Sequence, residues 1–212
     1  MDHSNPQTSL GFTPDLYPQG VHMCYLYYDE EERKRVISAY LRSGLEQNEA
    51  VSYFPDTHAP DMLGYALNQL GVPPPVHEQP NQYQVRSAVE AYCPDGHFDP
   101  QRMVDYLRQL YQQGIAAGFS GTRMGGEMTW ALRGLPGAER LVEYEAMLNK
   151  LAAHDPLTMI CQYNTNKFDG ATIFDILNVH PMMIVRGRVI QNPYFVPVDD
   201  YLKTKRGDHT EK

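Results

Sequence analysis

Residues 23–54, MCYLYYDEEERKRVISAYLRSGLEQNEAVSYF, set two short apolar runs on either side of an amphipathic stretch. The first run, MCYLYYD, is aromatic and short, as a buried strand requires. Asp29 then precedes an acidic first turn that suits the positive end of a helix, and Val36, Ile37, Tyr40 and Leu41 recur on one stripe. After the turn residues near Gly44 to Asn48, AVSYF predicts a second strand over 50–54. The reading is strand, helix, strand.

The same alternation continues outward. Pro60 opens a helix over DMLGYALNQLG, with Met62, Leu63, Ala66, Leu67 and Leu70 at helical spacing, and VPPP then interrupts regular structure. YQVRSAVEAY alternates Val85, Ser87, Val89 and Ala91 and predicts a strand. Pro100 opens another helix, on whose stripe lie Met103, Val104, Leu107, Leu110 and Tyr111. IAAGFSGTRMGG leaves room for a short strand at Ala116 to Phe119 and then a glycine-rich loop, while Glu127 to Leu132 reads equally as helix or strand. RLVEYEAMLNKLAAH predicts a helix, TMICQY a strand, ATIFDILNVH a helix, and MMIVRGRVI two strands about Arg186-Gly187.

Four or more strand-helix pairings in series predict a three-layer α/β fold: a largely parallel sheet flanked by helices, with an antiparallel margin at the end. The simplest division is an irregular lead-in over 1–17, one domain over 18–198 and a charged tail over 199–212. VPPP is the competing boundary.

At 212 residues, 42% hydrophobic and 21% charged, the chain has enough apolar material for a core and too much for wholesale disorder. A net charge of −8 without a long basic run argues against direct nucleic-acid binding. No stretch approaches 18 consecutive apolar residues and no secretory signal is visible, so no membrane partner is expected and the expected location is the cytoplasm. Three cysteines, Cys24, Cys93 and Cys161, cannot all pair within one chain. The sequence leaves homo-oligomer formation open.

A phosphate loop would need G-x-x-x-x-G-K-[ST], but the turn after the first strand is DEEERKR, with four carboxylates from Asp29 to Glu32. ATP is therefore not expected as a cofactor. His22 and Cys24 stand two apart in a predicted extended segment and face the same way. They are candidate metal ligands, with Cys161 and His180 as completing members and Cys93 and His97 as a looser pair. The competing reading places all of them in the core or in loops, where unligated cysteines are commonly buried. GFSGTRMGGEMTWAL gathers Arg123, Glu127 and the sole tryptophan, Trp130, among glycines. An arginine-carboxylate pair there would either pin a long loop to the sheet edge or anchor a ligand. Glu143 and Glu145 lie on different helix faces and make no acid-base dyad, whereas Glu145 and Asn149 share one. CQYN brings Cys161, Gln162, Tyr163 and Asn164 to a strand end, a usual place for functional groups in an open α/β sheet. No recognised catalytic constellation is present.

Taken in order, GVHMCYLYYDEEE, LRSGLEQNEAVSYFPD, GFSGTRMGGEMTWAL, LVEYEAMLNKL, ICQYNTNKFDG and ILNVHPMMIVRGRVIQNPYFVP resemble the methanogen/methylotroph, DcmR sensory (MEDS) domain family over about residues 18–198. The resemblance implies a fold related to RecA and the circadian-clock ATPases, a P-loop NTPase relative with a degraded nucleotide site. It implies a sensory role for His22 and Cys24, with Arg123 and Glu127 as the family's characteristic arginine and glutamate. Cys161, Tyr163, Asn164, His180 and Pro181 fall in its later motifs, followed by Asn192-Pro193-Tyr194, and Gln191 stands where an acidic residue is more usual. The implied activity is noncatalytic sensing of small hydrocarbon derivatives at a pocket at the strand ends. The implied partner is a regulatory protein such as a histidine kinase or an anti-sigma system. A thiol- or metal-dependent enzyme and a ligand-free interaction domain are the alternatives.

Overall fold

The computed structural model of the protein describes residues 6–56 and 82–198. The helix assigned to DMLGYALNQLG, the VPPP break and the charged tail lie outside the described residues. The strands of the main sheet are β3 (His22–Tyr27), β4 (Ala50–Phe54), β5 (Tyr83–Val85), β6 (Thr122–Glu127), β7 (Leu157–Asn164), β8 (Met182–Val185) and β9 (Arg188–Gln191). They lie in the order β5-β4-β6-β7-β3-β8-β9. All neighbours run parallel except β8 and β9, which form the antiparallel margin about Arg186 and Gly187. The two central strands, β3 and β7, pair Cys24 with Cys161 and Leu26 with Tyr163.

The helices are α1 (Glu30–Glu46), α2 (Ala88–Tyr92), α3 (Pro100–Ala116), α4 (Leu141–His154) and α5 (Gly170–Val179). Three of the crossover helices start where the chain supplies an acceptor for free backbone N–H groups, while α4, after Arg140, has no side-chain cap. Asp29, Asp99 and Asp169 accept from the first turns of α1, α3 and α5. Strand alternation then divides the core in two. Met23, Tyr25 and Tyr27 face α1 with Ile37, Tyr40 and Tyr53. Cys24, Met124, Met159, Cys161 and Tyr163 face the opposite way, under α2 to α5. The fold is three-layered, with the largely parallel sheet in the middle.

Three expectations are corrected. The YQVRSAVEAY segment is a strand only as far as Val85, because Ser87 Oγ accepts from Glu90 N–H at 3.3 Å and starts α2. Ala116 to Phe119 is not a strand: α3 runs to Ala116, Gly118 follows at φ +87°, and the strand is TRMGGE itself. The glycines belong to it because a Cβ on Gly125 would stand 3.2 Å from the Tyr53 ring, and one on Gly126 would stand 2.5 Å from Tyr92 Oη. The lead-in is not wholly irregular, since β1 (Gln7–Ser9) and β2 (Leu16–Pro18) pair antiparallel and bury Thr8 and Leu10. The ambiguous stretch after Glu127 is a 3-10 helix, Met128–Arg133.

Candidate functional site

Where β3 and β7 pass beneath α4, the apolar layer is broken by a cluster of polar side chains. His22 opens β3, Cys161 and Tyr163 share the same face of β7, Glu145 lies on the inner stripe of α4, and His180 ends α5. His22 and Glu145 are 1% and 0% exposed, and Cys161 and His180 are 4% and 0% exposed, so no water shell stabilises the carboxylate. His22 Nε2 lies 3.2 Å from Glu145 Oε2, and His180 Nε2 lies 3.3 Å from the same oxygen. Cys161 Sγ is 3.5 Å from His22 Nε2, and Tyr163 Oη donates to Glu145 Oε1. The two imidazoles are tilted against each other with centroids 4.2 Å apart.

The outer nitrogens are fixed by the helices. His180 Nδ1 donates to Ile176 O at 2.8 Å and His22 Nδ1 to Asn149 Oδ1 at 3.0 Å. Asn149 is oriented in turn by donating to Val179 O at 2.7 Å. Burial, and then the neighbouring His180, push the His22 imidazole below its ordinary pKa. Burial also works to raise Glu145, but His180 and His22 outweigh it and hold the carboxyl well below the usual range. Burial, reinforced by Glu145, pushes the thiols of Cys161 and Cys24 far up. An apolar cavity of about 10 Å³ borders Cys161, walled by Tyr92, Gly126, Tyr144, Leu148 and Met159. That is room for about one water.

Of the residues singled out from sequence, His22, Cys161 and His180 converge, and Tyr163 joins them through Glu145. Cys24 lies beside Cys161 across the strand pair, yet its sulfur stands outside the group of four ligand atoms that lie within 4.8 Å of one another. Cys93 and His97 are outside it too.

Arg123 and Glu127 lie apart from this cluster, because they occupy the opposite face of the sheet. Nor do they pair with each other. Arg123, fully buried, donates to Glu49 Oε2 at 2.7 Å, Tyr40 O at 2.6 Å, Thr8 Oγ1 at 3.0 Å and Ser9 O at 2.9 Å, tying β1 to the sheet. Glu127 Oε1 accepts from Arg33 Nη1 at 2.5 Å and Tyr53 Oη at 2.9 Å at the strand ends. Asn164 is nearby and donates to Glu30 at 3.4 Å. The strand-end position is thus taken by an ion pair from α1, and the His-Cys cluster lies on the sheet face instead. Trp130 is buried between Tyr92 and Phe98, with ring centroids 4.8 and 4.7 Å away.

The sequence reading missed Glu145 as a site residue. The signal was its phase: a carboxylate among Leu141, Tyr144, Leu148 and Leu151 falls on a buried stripe.

A model of the family described as the MEthanogen/methylotroph, DcmR Sensory domain, MEDS, matches residues 21–181, a span that contains β3 to α5 and every member of the cluster. The chain belongs to the MEDS family. Its curated relative, the transcriptional repressor DcmR of Methylorubrum extorquens, is 25% identical over 160 residues, covering 75% of this chain. The chain spans only 57% of that relative's length. Among solved structures, a KaiC-like protein from Pyrococcus horikoshii OT3 matches with a TM-score of 0.56 at 12% identity, over 79% of this chain and 71% of its own. The flagellar accessory protein FlaH of Methanocaldococcus jannaschii matches with a TM-score of 0.55 at 12% identity, over 81% and 76%. The MEDS fold here is therefore RecA-like, and the family assignment gives a sensory or regulatory role. Among the described residues no helix is long and apolar enough to cross a membrane.

Proposed function

We propose that this MEDS domain is a noncatalytic sensor of small hydrocarbon derivatives, that its sensing element is the His22-Glu145-His180-Cys161 cluster, and that it signals through a regulatory protein such as a histidine kinase or an anti-sigma system. The observation that carries the reading is the cluster itself. Burying a carboxylate between two imidazoles costs stability relative to an apolar core, and perturbed groups of this kind concentrate at functional sites. The adjoining apolar cavity gives a small apolar molecule a place to press on Cys161, provided the Tyr92 and Tyr144 wall yields.

Nucleotide turnover is disfavoured by the start of α1. Asp29 accepts from Glu31 N–H at 2.8 Å and Glu32 N–H at 2.9 Å, so the helix terminus that would face phosphate already holds the chain's own carboxylate. Thiol catalysis is disfavoured because a raised pKa leaves a neutral sulfur, and burial pushes even Cys93 up to about 11. The net charge of −8 supports output through protein contact instead of direct contact with nucleic acid.

The test is thermal unfolding of the full chain with one- to three-carbon halides, alcohols and amines, and separately with Mg-ATP. At least one small compound raises the melting temperature of the wild type and fails to do so in folded His22→Ala, while Mg-ATP has no effect and is not hydrolysed. A chain that ignores the whole panel but is stabilised by micromolar Mg-ATP overturns the proposal.

A further inference from the structure

We infer that His22, Glu145, Cys161 and His180 form a four-ligand site for a divalent transition metal ion of the zinc type, through His22 Nε2, His180 Nε2, Glu145 Oε2 and Cys161 Sγ. These are the atoms that lie within 4.8 Å of one another. A tetrahedral ion with bonds of about 2.0–2.3 Å separates its ligand atoms by about 3.3–3.6 Å. Three of the six separations here are 3.2, 3.3 and 3.5 Å.

Hydrogen bonding within the cluster leaves a deficit at its centre. Both imidazoles spend their Nδ1–H outward, on Ile176 O and Asn149 Oδ1, so each ring when neutral turns an Nε2 lone pair inward. The carboxylate spends Oε1 on Tyr163 and turns Oε2 inward. Two nitrogen lone pairs and a carboxylate oxygen then face one another at 3.2–3.3 Å, and His180 Nε2, fully buried, completes no hydrogen bond. A single proton satisfies one Nε2–Oε2 contact and leaves the other repulsive. Two protons would place imidazolium rings with centroids 4.2 Å apart in a water-free core.

A divalent cation satisfies all three acceptors together. With the Cys161 proton released to solvent on binding, thiolate and carboxylate supply two negative charges against two positive, and the buried site becomes neutral. The outward Nδ1–H bonds are the supporting contacts that metal-ligating histidines ordinarily make. Thiolate and imidazole together favour zinc over calcium or magnesium, which take oxygen ligands. Since the cluster is closed to solvent, the ion enters as the chain folds.

The inference deepens the sensor reading but is tested apart from it, with metal alone and no small molecule. The full chain is unfolded with a chelator, the chelator removed, and the chain refolded with zinc or cobalt(II). Bound zinc is measured by mass spectrometry, and cobalt by its visible and thiolate charge-transfer bands. The expected result is one ion per chain, a thiolate band lost in Cys161→Ser and kept in Cys24→Ser, and affinity weakened 10–100-fold in Asn149→Ala, which removes the support of His22 and the tie to Val179 O while leaving all four ligands in place.

Folded wild type that binds neither ion overturns the inference, as does a thiolate band that survives Cys161→Ser. The wild-type measurement decides the matter even where a variant fails to fold. A metal-free chain that still responds to the small-molecule panel sinks the metal site alone, and a metal-loaded chain that responds to none of the panel sinks the sensor reading alone.

Discussion

Among the described residues, Glu145 and Arg123 are fully buried charged side chains set on opposite sides of the sheet. Around Glu145 the surrounding groups are few and directional, as a site requires. Around Arg123 they are a carboxylate, a hydroxyl and two carbonyls from three separate segments, as a fastening requires. The structure therefore separates two charged residues that composition treats alike. Arg123→Ala would leave Glu49 buried at 1% exposure with no cation, and should cost about 3–5 kcal/mol in urea unfolding. Arg123→Met combined with Glu49→Leu should cost clearly less than the sum of the two single changes, because neither charge is then left unpaired. An Arg123→Ala loss within about 0.5 kcal/mol of zero, the range of ordinary surface substitutions, would show that the fastening is dispensable.

At the scale of elements, the cluster depends on how α4 is delivered onto the sheet. The chain turns into it through Gly134 and Gly137, at φ +69° and +87°. Both prefer glycine for conformational reasons, but only one is crowded: a Cβ at Gly137 would lie 2.0 Å from Phe98 O, whereas one at Gly134 meets open space. Gly134→Ala should therefore cost about 1 kcal/mol, from the left-handed backbone alone. Gly137→Ala should cost at least about 2 kcal/mol and, by shifting α4, should also weaken the Glu145 contacts to both histidines. Chemical denaturation beside the imidazole NMR signals of the two variants checks this. Equal losses at both positions would contradict the crowding argument. The misread strand at Ala116 to Phe119 is an element-scale error of the same origin, since Gly125 and Gly126 look like a loop until Tyr53 and Tyr92 are seen lying against them.

At the scale of the whole molecule, one seven-stranded sheet carries residues from His22 to Gln191, and the N-terminal hairpin is held to it through Arg123. A single compact unit of 212 residues has a radius of gyration of about 17 Å if monomeric. Small-angle scattering of a monomer checks it, and a curve that requires two separated lobes would contradict one domain.

The sequence by itself determined the alternation of strand and helix, the acidic start of α1 at Asp29, the antiparallel margin and the absence of a phosphate-loop motif. Each of these is written within one element or one turn, at a spacing of two or of three to four residues. It also put His22 and Cys24 on one face. It could not decide which sulfur reaches the histidine, because that depends on the register of β3 against β7, and there Cys161 reaches where Cys24 does not. Glu145 was legible as a polar residue on an apolar stripe, but not as the partner of residues 123 and 35 positions away. Nor could spacing tell that Arg123 and Glu127, four apart on a strand and so on one face, would both turn away from the cluster. Only the packing of α1 on one side and α4 on the other assigns those faces, since burial is a property of what covers a strand and not of the strand itself.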